Sequence, residues 1–199
     1  MTFTRKAVRC SVTAIVFLLL AVPLQAADPV NLDFEAGLDE RGRPVGWIGG
    51  APGYALGVDP AAHGGELSAR LQGRENETTA KTSAPLVQFV SAEPWRGKRV
   101  RLSGWLRTQD VATQWAGLWM RIDSETAPGL SFDNMPDRGP RGTTDWARYE
   151  VVLDVPKEAF EIYFGVVLLG NGTVWADDLL LEEVAKSVPV TGSPKKGKE

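Results

Sequence analysis

The chain has 199 residues, with 22 Lys and Arg against 25 Asp and Glu, one histidine, one cysteine and 43% apolar residues. The acidic balance argues against a nucleic-acid partner, which calls for a basic face. A lone cysteine cannot form an intrachain disulfide framework, and a lone histidine leaves little for nucleophilic catalysis.

In chain order, Arg5, Lys6 and Arg9 precede an apolar run over residues 11–22, followed by a small-residue exit ending at Ala26. The run is shorter than a bilayer-spanning helix, so residues 1–26 read as a cleaved secretory signal. This predicts a periplasmic or secreted protein with no stable membrane insertion after cleavage. Cys10 leaves with the signal, so the mature chain, with 19 basic and 25 acidic residues, carries no disulfide. It must rely on its core, and a domain of this size buries roughly 70% of its unfolded surface.

From residue 30 to 181 apolar residues alternate more often than they recur at helical spacing, with Gly, Pro, Asn and Asp punctuating them. That pattern predicts an all-β, two-sheet sandwich over residues 27–184. An opening strand is expected at 31–35, with Leu32 and Phe34 inward. Glycine- and proline-rich loops follow, then strands at 54–58, 67–71 and 86–90. The clearest alternation is at 99–107, where Val100, Leu102, Gly104 and Leu106 face one way and Arg101, Ser103, Trp105 and Arg107 the other. The segment 115–121 divides similarly: Leu118, Met120 and Ile122 on a core face; Trp115, Gly117, Trp119 and Arg121 on the opposite one. Further strands are expected at 130–134, 148–155, 161–169 and 173–183. Residues 185–199, rich in Ser, Pro, Gly and Lys, read as a disordered tail.

Two constellations carry the functional expectation. Trp105 and Trp119, with Arg101, Arg107 and Arg121, take the outward parity of strands expected to be neighbours, and Tyr163 takes that of a later strand. Flat rings flanked by hydrogen-bonding groups suit a glycan or other small polar ligand, because a pyranose has an apolar C–H face and a polar rim. The alternative is that the tryptophans pack under a loop with arginines stacked on them. Asp133 and Asn134 could reach a ligand on this face, or could simply build a turn.

In the last strand Trp175, Asp177, Leu179 and Leu181 share one parity, which would turn a carboxylate inward, at a cost unless it is paired. A structural Ca²⁺ held by Glu35, Asp177 and carbonyls of the loop at 63–65 would solve this; so would hydrogen bonds from a loop backbone or an arginine. His63 reads as structural. No GxSxG elbow, Walker loop, HExxH or strand-linked GxGxxG occurs, so a non-catalytic role is expected.

The runs at 31–35 (NLDFE), 44–47 (PVGW), 63–68 (HGGELS), 97–105 (GKRVRLSGW) and 174–178 (VWADD) occur in an order that resembles the jelly-roll carbohydrate-binding modules of the xylan- and glucan-binding type, in the galactose-binding-domain-like superfamily. The resemblance implies a two-sheet antiparallel jelly roll, a structural calcium near Glu35 and Asp177, and a sugar site of aromatics on a concave sheet. Residues 115–154 also resemble an uncharacterised sandwich domain fused to some bacterial regulators and peptidases. With that second likeness, the competing expectation is an envelope protein–protein interaction or scaffold domain.

Overall fold

The computed structural model describes residues 28–74 and 81–194; the expected signal peptide and Cys10 lie outside them. The architecture is the expected sandwich, built from β1 (Ile48–Gly49), β2 (Tyr54–Asp59), β3 (Ser68–Gly73), β4 (Ser83–Ser91), β5 (Arg99–Val111), β6 (Ala116–Asp123), β7 (Ser131–Asp133), β8 (Gly142–Asp154), β9 (Glu161–Leu169), β10 (Gly172–Val184) and β11 (Ser193–Pro194). Every strand pairing is antiparallel. A six-stranded sheet runs β1-β4-β9-β6-β7-β11 and a five-stranded sheet runs β2-β3-β10-β5-β8.

Period-two alternation delivers the core. Val100, Leu102 and Leu106 from β5 meet Leu118, Met120 and Ile122 from β6, Phe164 and Val166 from β9 and Val151 and Leu153 from β8, all buried. Burial of each such side chain contributes about 1.5–3 kcal/mol. Trp47 is the largest of the fully buried side chains. Its ring lies 5.3 Å from Phe34 and edge-on to Phe164 at 6.0 Å, and its indole N–H donates to the Asn31 carbonyl at 3.0 Å.

Three expectations need correction. Residues 31–35 are not a strand. Asn31 and Phe34 both have positive φ, 49° and 61°, and the Asn31 amide ties the segment down by donating to the Val45 carbonyl and accepting from the Ala36 N–H. Phe34 is buried as expected, but by a turn.

In β10 the parity breaks. Asp177 pairs with Trp105 and Leu180 with Ser103, so a bulge at Asp178 and Leu179, with Asp178 at φ 47°, inserts a residue and flips the alternation. Leu179 and Leu181 therefore face the core, while Trp175 and Asp177 lie on the outer side of the sheet. Leu179 fills the space left by Gly104, where a Cβ would come within 2.2 Å of its Cδ2.

Residues 185–194 are also ordered rather than loose. The Arg99 guanidinium donates to the carbonyls of Lys186 and Val188. Lys186 pairs with Asp154 at 2.7 Å, and Thr191 exchanges hydrogen bonds with Val152. β11 then pairs with β7. This strap joins the β8 edge of one sheet to the β7 edge of the other, supplying polar partners for backbone that composition alone would leave to solvent. Residues 195–199 lie outside the described residues.

Candidate ligand-binding face

β5 and β6 are consecutive in the chain but belong to different sheets. The expectation that Trp105 and Trp119 share a surface is therefore wrong. Trp105, Arg101 and Arg107 lie on the outer face of the five-stranded sheet, and Trp119, Arg121 and Tyr163 on the outer face of the six-stranded sheet, across the thickness of the sandwich. Alternation tells which side of its own sheet a residue occupies, but not which sheet the strand joins.

On the six-stranded sheet the register places Phe89, Tyr163, Arg121 and Phe132 opposite one another across β4, β9, β6 and β7. Phe89 is 50% exposed and Phe132 42%. The Phe89 and Tyr163 rings are 5.5 Å apart, and the Arg121 guanidinium lies over the Tyr163 ring at 4.8 Å, within cation–π range. Arg121 is fixed by a two-pronged pair with Asp123, from Nε to Oδ1 at 3.0 Å and from Nη2 to Oδ2 at 2.8 Å; Asp123 also accepts the Gly129 N–H at 2.7 Å. The Tyr163 hydroxyl donates to Glu161. That hydrogen bond, aided by burial, pushes the phenol pKa up to about 12, so it stays protonated at any physiological pH.

The adjacent row runs Trp119, Gly165, Val87, Ile48. Gly165 presents no side chain between the Trp119 ring and Val87, which leaves the ring a shelf. Trp119 is half-buried, and its indole N–H is closed off from solvent without a partner among the described residues. Such a group costs about 1–3 kcal/mol. Of the residues expected to bind ligand, this face unites three: Trp119, Arg121 and Tyr163. Phe89 and Phe132 were missed, though β4 carried a usable signal, since Val87 and Phe89 are apolar on the parity opposite Leu86 and Val90.

Around Trp105 the other outer face is covered by its own residues, while a polar cavity of about 300 Å³ opens beside Arg70, Gln72 and Trp175. The His63 ring stacks on Trp105 with centroids 3.9 Å apart and planes 14° from parallel, and meets Trp146 edge-on at 5.9 Å. Arg101 pairs with Glu182 at 2.7 Å and Glu150 at 3.5 Å. Arg107 stacks over Trp175 at 5.1 Å. Here the alternative of covered tryptophans with stacked arginines holds, so Trp105, Arg101 and Arg107 are packing residues of the five-stranded sheet. Asp133 is likewise spent. Although burial opposes its ionisation, Arg138, the Thr191 hydroxyl and the Met135 N–H together hold its pKa below the usual range.

Glu35 and Asp177 converge on one loop. Asp177 is fully buried and accepts N–H bonds from His63 at 2.8 Å, Gly64 at 3.1 Å and Asp178 at 2.8 Å. Glu35 accepts from Glu66 and Leu67 at 2.8 and 2.9 Å. Burial raises the Asp177 pKa, offset in part by these N–H groups. Among the described residues no group of three His, Cys, Asp or Glu side chains is placed to hold an ion. A hard cation at this loop would therefore have to complete its shell with carbonyls, which suits Ca²⁺ better than a transition metal.

No family model matches the sequence. Over 150 residues the chain is 41% identical to an uncharacterised HTH-type transcriptional regulator, YbfP, of Bacillus subtilis strain 168; the match covers 73% of this chain and half of that protein. Among solved structures, a family 16 carbohydrate-binding module is 24% identical with a TM-score of 0.55, covering 77% of this chain and 98% of the module. The CBM22-1 xylan-binding domain of Paenibacillus barcinonensis Xyn10C is 14% identical with a TM-score of 0.53, covering 76% and 91%. A family 61 module solved with β-1,4-galactotriose is 17% identical with a TM-score of 0.51, covering 78% and 97%. With its paired antiparallel sheets, its strand order and these structural neighbours, the chain has the jelly-roll fold of carbohydrate-binding modules.

Proposed function

We propose that this domain is a non-catalytic binding module that takes a glycan across the outer face of its six-stranded sheet. The observation that carries this reading is the ladder of Phe89, Tyr163, Arg121 and Phe132 beside the Trp119 shelf: rings for the C–H face of a sugar, and a fixed guanidinium and carboxylates for its hydroxyls. Arg121 uses Nε and Nη2 on Asp123, which leaves Nη1 for a ligand oxygen. The structural neighbours that bind xylan and β-1,4-galactotriose support the ligand class. The sequence of residues 1–26 supports export.

Titration with xylan, β-glucan and β-1,4-galactan oligosaccharides should quench tryptophan fluorescence, and Trp119→Ala should remove the response while the far-UV spectrum and unfolding midpoint stay near wild type. A competing reading, favoured by the exposed Phe89 and Phe132 rings and by the likeness to half of a regulator, is that the same face docks on a protein of the envelope. Silence across the glycan panel, together with a protein retained on wild type but not on Trp119→Ala, would select it.

A structural Ca²⁺ between Glu35 and Asp177 is part of the proposal. It would bridge the loop at 63–67 to the bulge in β10 and compensate the buried Asp177 charge.

A further inference from the structure

Beside the ligand face, a cavity of about 570 Å³ opens at the β1-β4 side of the six-stranded sheet, within the size range of small-molecule sites. Val30, Ile48, Val87, Phe89 and Phe160 line it, and all but Val87 are more than two-fifths exposed. That is a concentration of apolar surface a free domain gains nothing by displaying.

The cavity is built rather than incidental. Gln88, only 6% exposed, reaches from β4 to the Val30 segment, accepting its N–H at 2.8 Å and donating to its carbonyl at 2.9 Å and to that of Gly46 at 3.2 Å. Val30 is thereby pinned as a wall. Among the polar groups at the cavity, Gln88 is engaged with Val30 and Gly46, the Arg96 Nε with the Ala159 carbonyl at 2.7 Å, the Ser91 oxygen with the Glu93 N–H at 3.1 Å, and Glu161 with the Tyr163 hydroxyl; the Asp28 and Glu93 carboxylates also line it. A bare sugar ring seated among Val30, Ile48, Val87, Phe89 and Phe160 would bury hydroxyls against apolar walls, at a cost that an apolar group does not incur. The cavity nonetheless continues directly from the sugar platform, because Phe89 and Glu161 belong to both.

We infer that the glycan taken by this face carries an apolar substituent, an aryl or acyl group on a sugar oxygen, and that the cavity receives it while the sugar lies on Trp119 and Tyr163. This rests on the reading of the sheet face as a glycan site.

The test compares the methyl and p-nitrophenyl β-glycosides of xylotetraose and of cellotetraose by calorimetry on the full mature chain. The aryl glycoside should bind at least tenfold more tightly than the methyl glycoside. Phe160→Ala and, independently, Val30→Asp should each erase that gain while leaving methyl-glycoside affinity within twofold; neither residue belongs to the platform. Trp119→Ala should weaken both ligands. If the methyl glycosides bind through Trp119 and the aryl group adds less than twofold, or adds tenfold that survives both cavity variants, the cavity inference falls and the sheet-face reading stands. If neither type of glycoside binds, the sheet-face reading falls and takes the inference with it.

Discussion

The two outer faces are built from the same stock, tryptophan and arginine on outward parities, and end in opposite states. On the five-stranded sheet the cations meet carboxylates from neighbouring strands, as Arg101 does with Glu182 and Glu150, and a loop lays His63 over Trp105. On the six-stranded sheet Arg121 finds its carboxylate two residues along its own strand, with the guanidinium over Tyr163, and Phe89 and Phe132 stay exposed. An aromatic face keeps a platform when its charges are satisfied along the strand and the covering loop stops short of it, as the segment at 134–139 does by packing on Gly117 and Trp115. It becomes a second layer of core when the partners come from across the sheet and a loop closes over.

The largest effect expected from breaking this contrast is at Gly165, which separates Trp119 from Val87. Its φ of 153° is unfavourable for a residue with a side chain, and a Cβ would lie 2.0 Å from the Leu86 carbonyl oxygen in the centre of the sheet. Gly165→Ala should cost about 2–4 kcal/mol, read as a fall in the urea midpoint, and should distort the platform with it. A midpoint unchanged from wild type would mean that the sheet can relax there and that the shelf is not fixed by backbone.

The next effect separates the faces directly. Trp119→Ala should reduce glycan affinity on the order of 100-fold, as loss of a central aromatic anchor does, with a small change in stability. Trp105→Ala should do the reverse, leaving affinity within twofold and costing about 1–2 kcal/mol of stability through the lost His63 stack. The expected pattern is two isotherms and two melting curves with opposite rankings. If Trp105→Ala also abolishes binding, the assignment of the ligand to one sheet is wrong.

That pair of variants also marks how far the sequence was legible. Inward and outward sides were readable in β6 and β9, over 99–107 of β5 and from 148 onward in β8, because alternation is a local property enforced by one buried face; beyond these, register shifts between β5 and β8 break it. Sheet membership was not: whether β6 follows β5 in the same sheet or crosses to the other is set by the connection at 112–115 and by long-range pairing. The parity of Asp177 misled for a different reason. A bulge at Asp178 and Leu179 adds one residue, and nothing in the composition of β10 announces it. The convergence of Glu35 and Asp177 on one loop was readable through the resemblance, while the N–H groups that hold both carboxylates became visible only in the folded backbone.

The loop at 63–67 that closes the five-stranded face gives a smaller effect. If Ca²⁺ holds it, chelator should lower the melting temperature by several degrees, in line with loss of a ligand bound only by the folded state. Asp177→Asn should lower it by a similar amount and abolish the response to added Ca²⁺. If the N–H cradle alone holds the loop, Asn keeps an acceptor for one side of the cradle and sets its NH2 against the other, where Oδ1 and Oδ2 both accept N–H bonds in the native chain, so the midpoint should fall by the same amount with and without Ca²⁺. Equal melting curves in Ca²⁺ and chelator would remove the ion from the account.

The smallest effect concerns the strap at 185–194, the feature that joins the edges of the two sheets. Asp154 accepts from Arg99 Nε and Nη2 at 3.0 and 2.8 Å and from Lys186 at 2.7 Å, and the Arg99 hydrogen bonds, with Lys186, draw its pKa from 3.8 down to about 2. A carboxyl depressed on folding stabilises the native state above its unfolded value, and that contribution fades as pH falls from near 3.8 through about 2. The Asp154 side chain is 47% exposed, so solvent screening holds the contribution to roughly 1 kcal/mol or less, enough to loosen a strap without unfolding a sandwich. The Thr191 N–H, which donates to the Val152 carbonyl at 2.9 Å, should lose protection against hydrogen exchange below about pH 4, after correction for intrinsic rates, while amides in the middle of β9 keep theirs. Asp154→Asn should show the low Thr191 protection already at pH 7. If Thr191 and β9 lose protection together, the strap is part of the global unfolding unit, and the two sheet edges are joined by more than the Arg99–Asp154 pair.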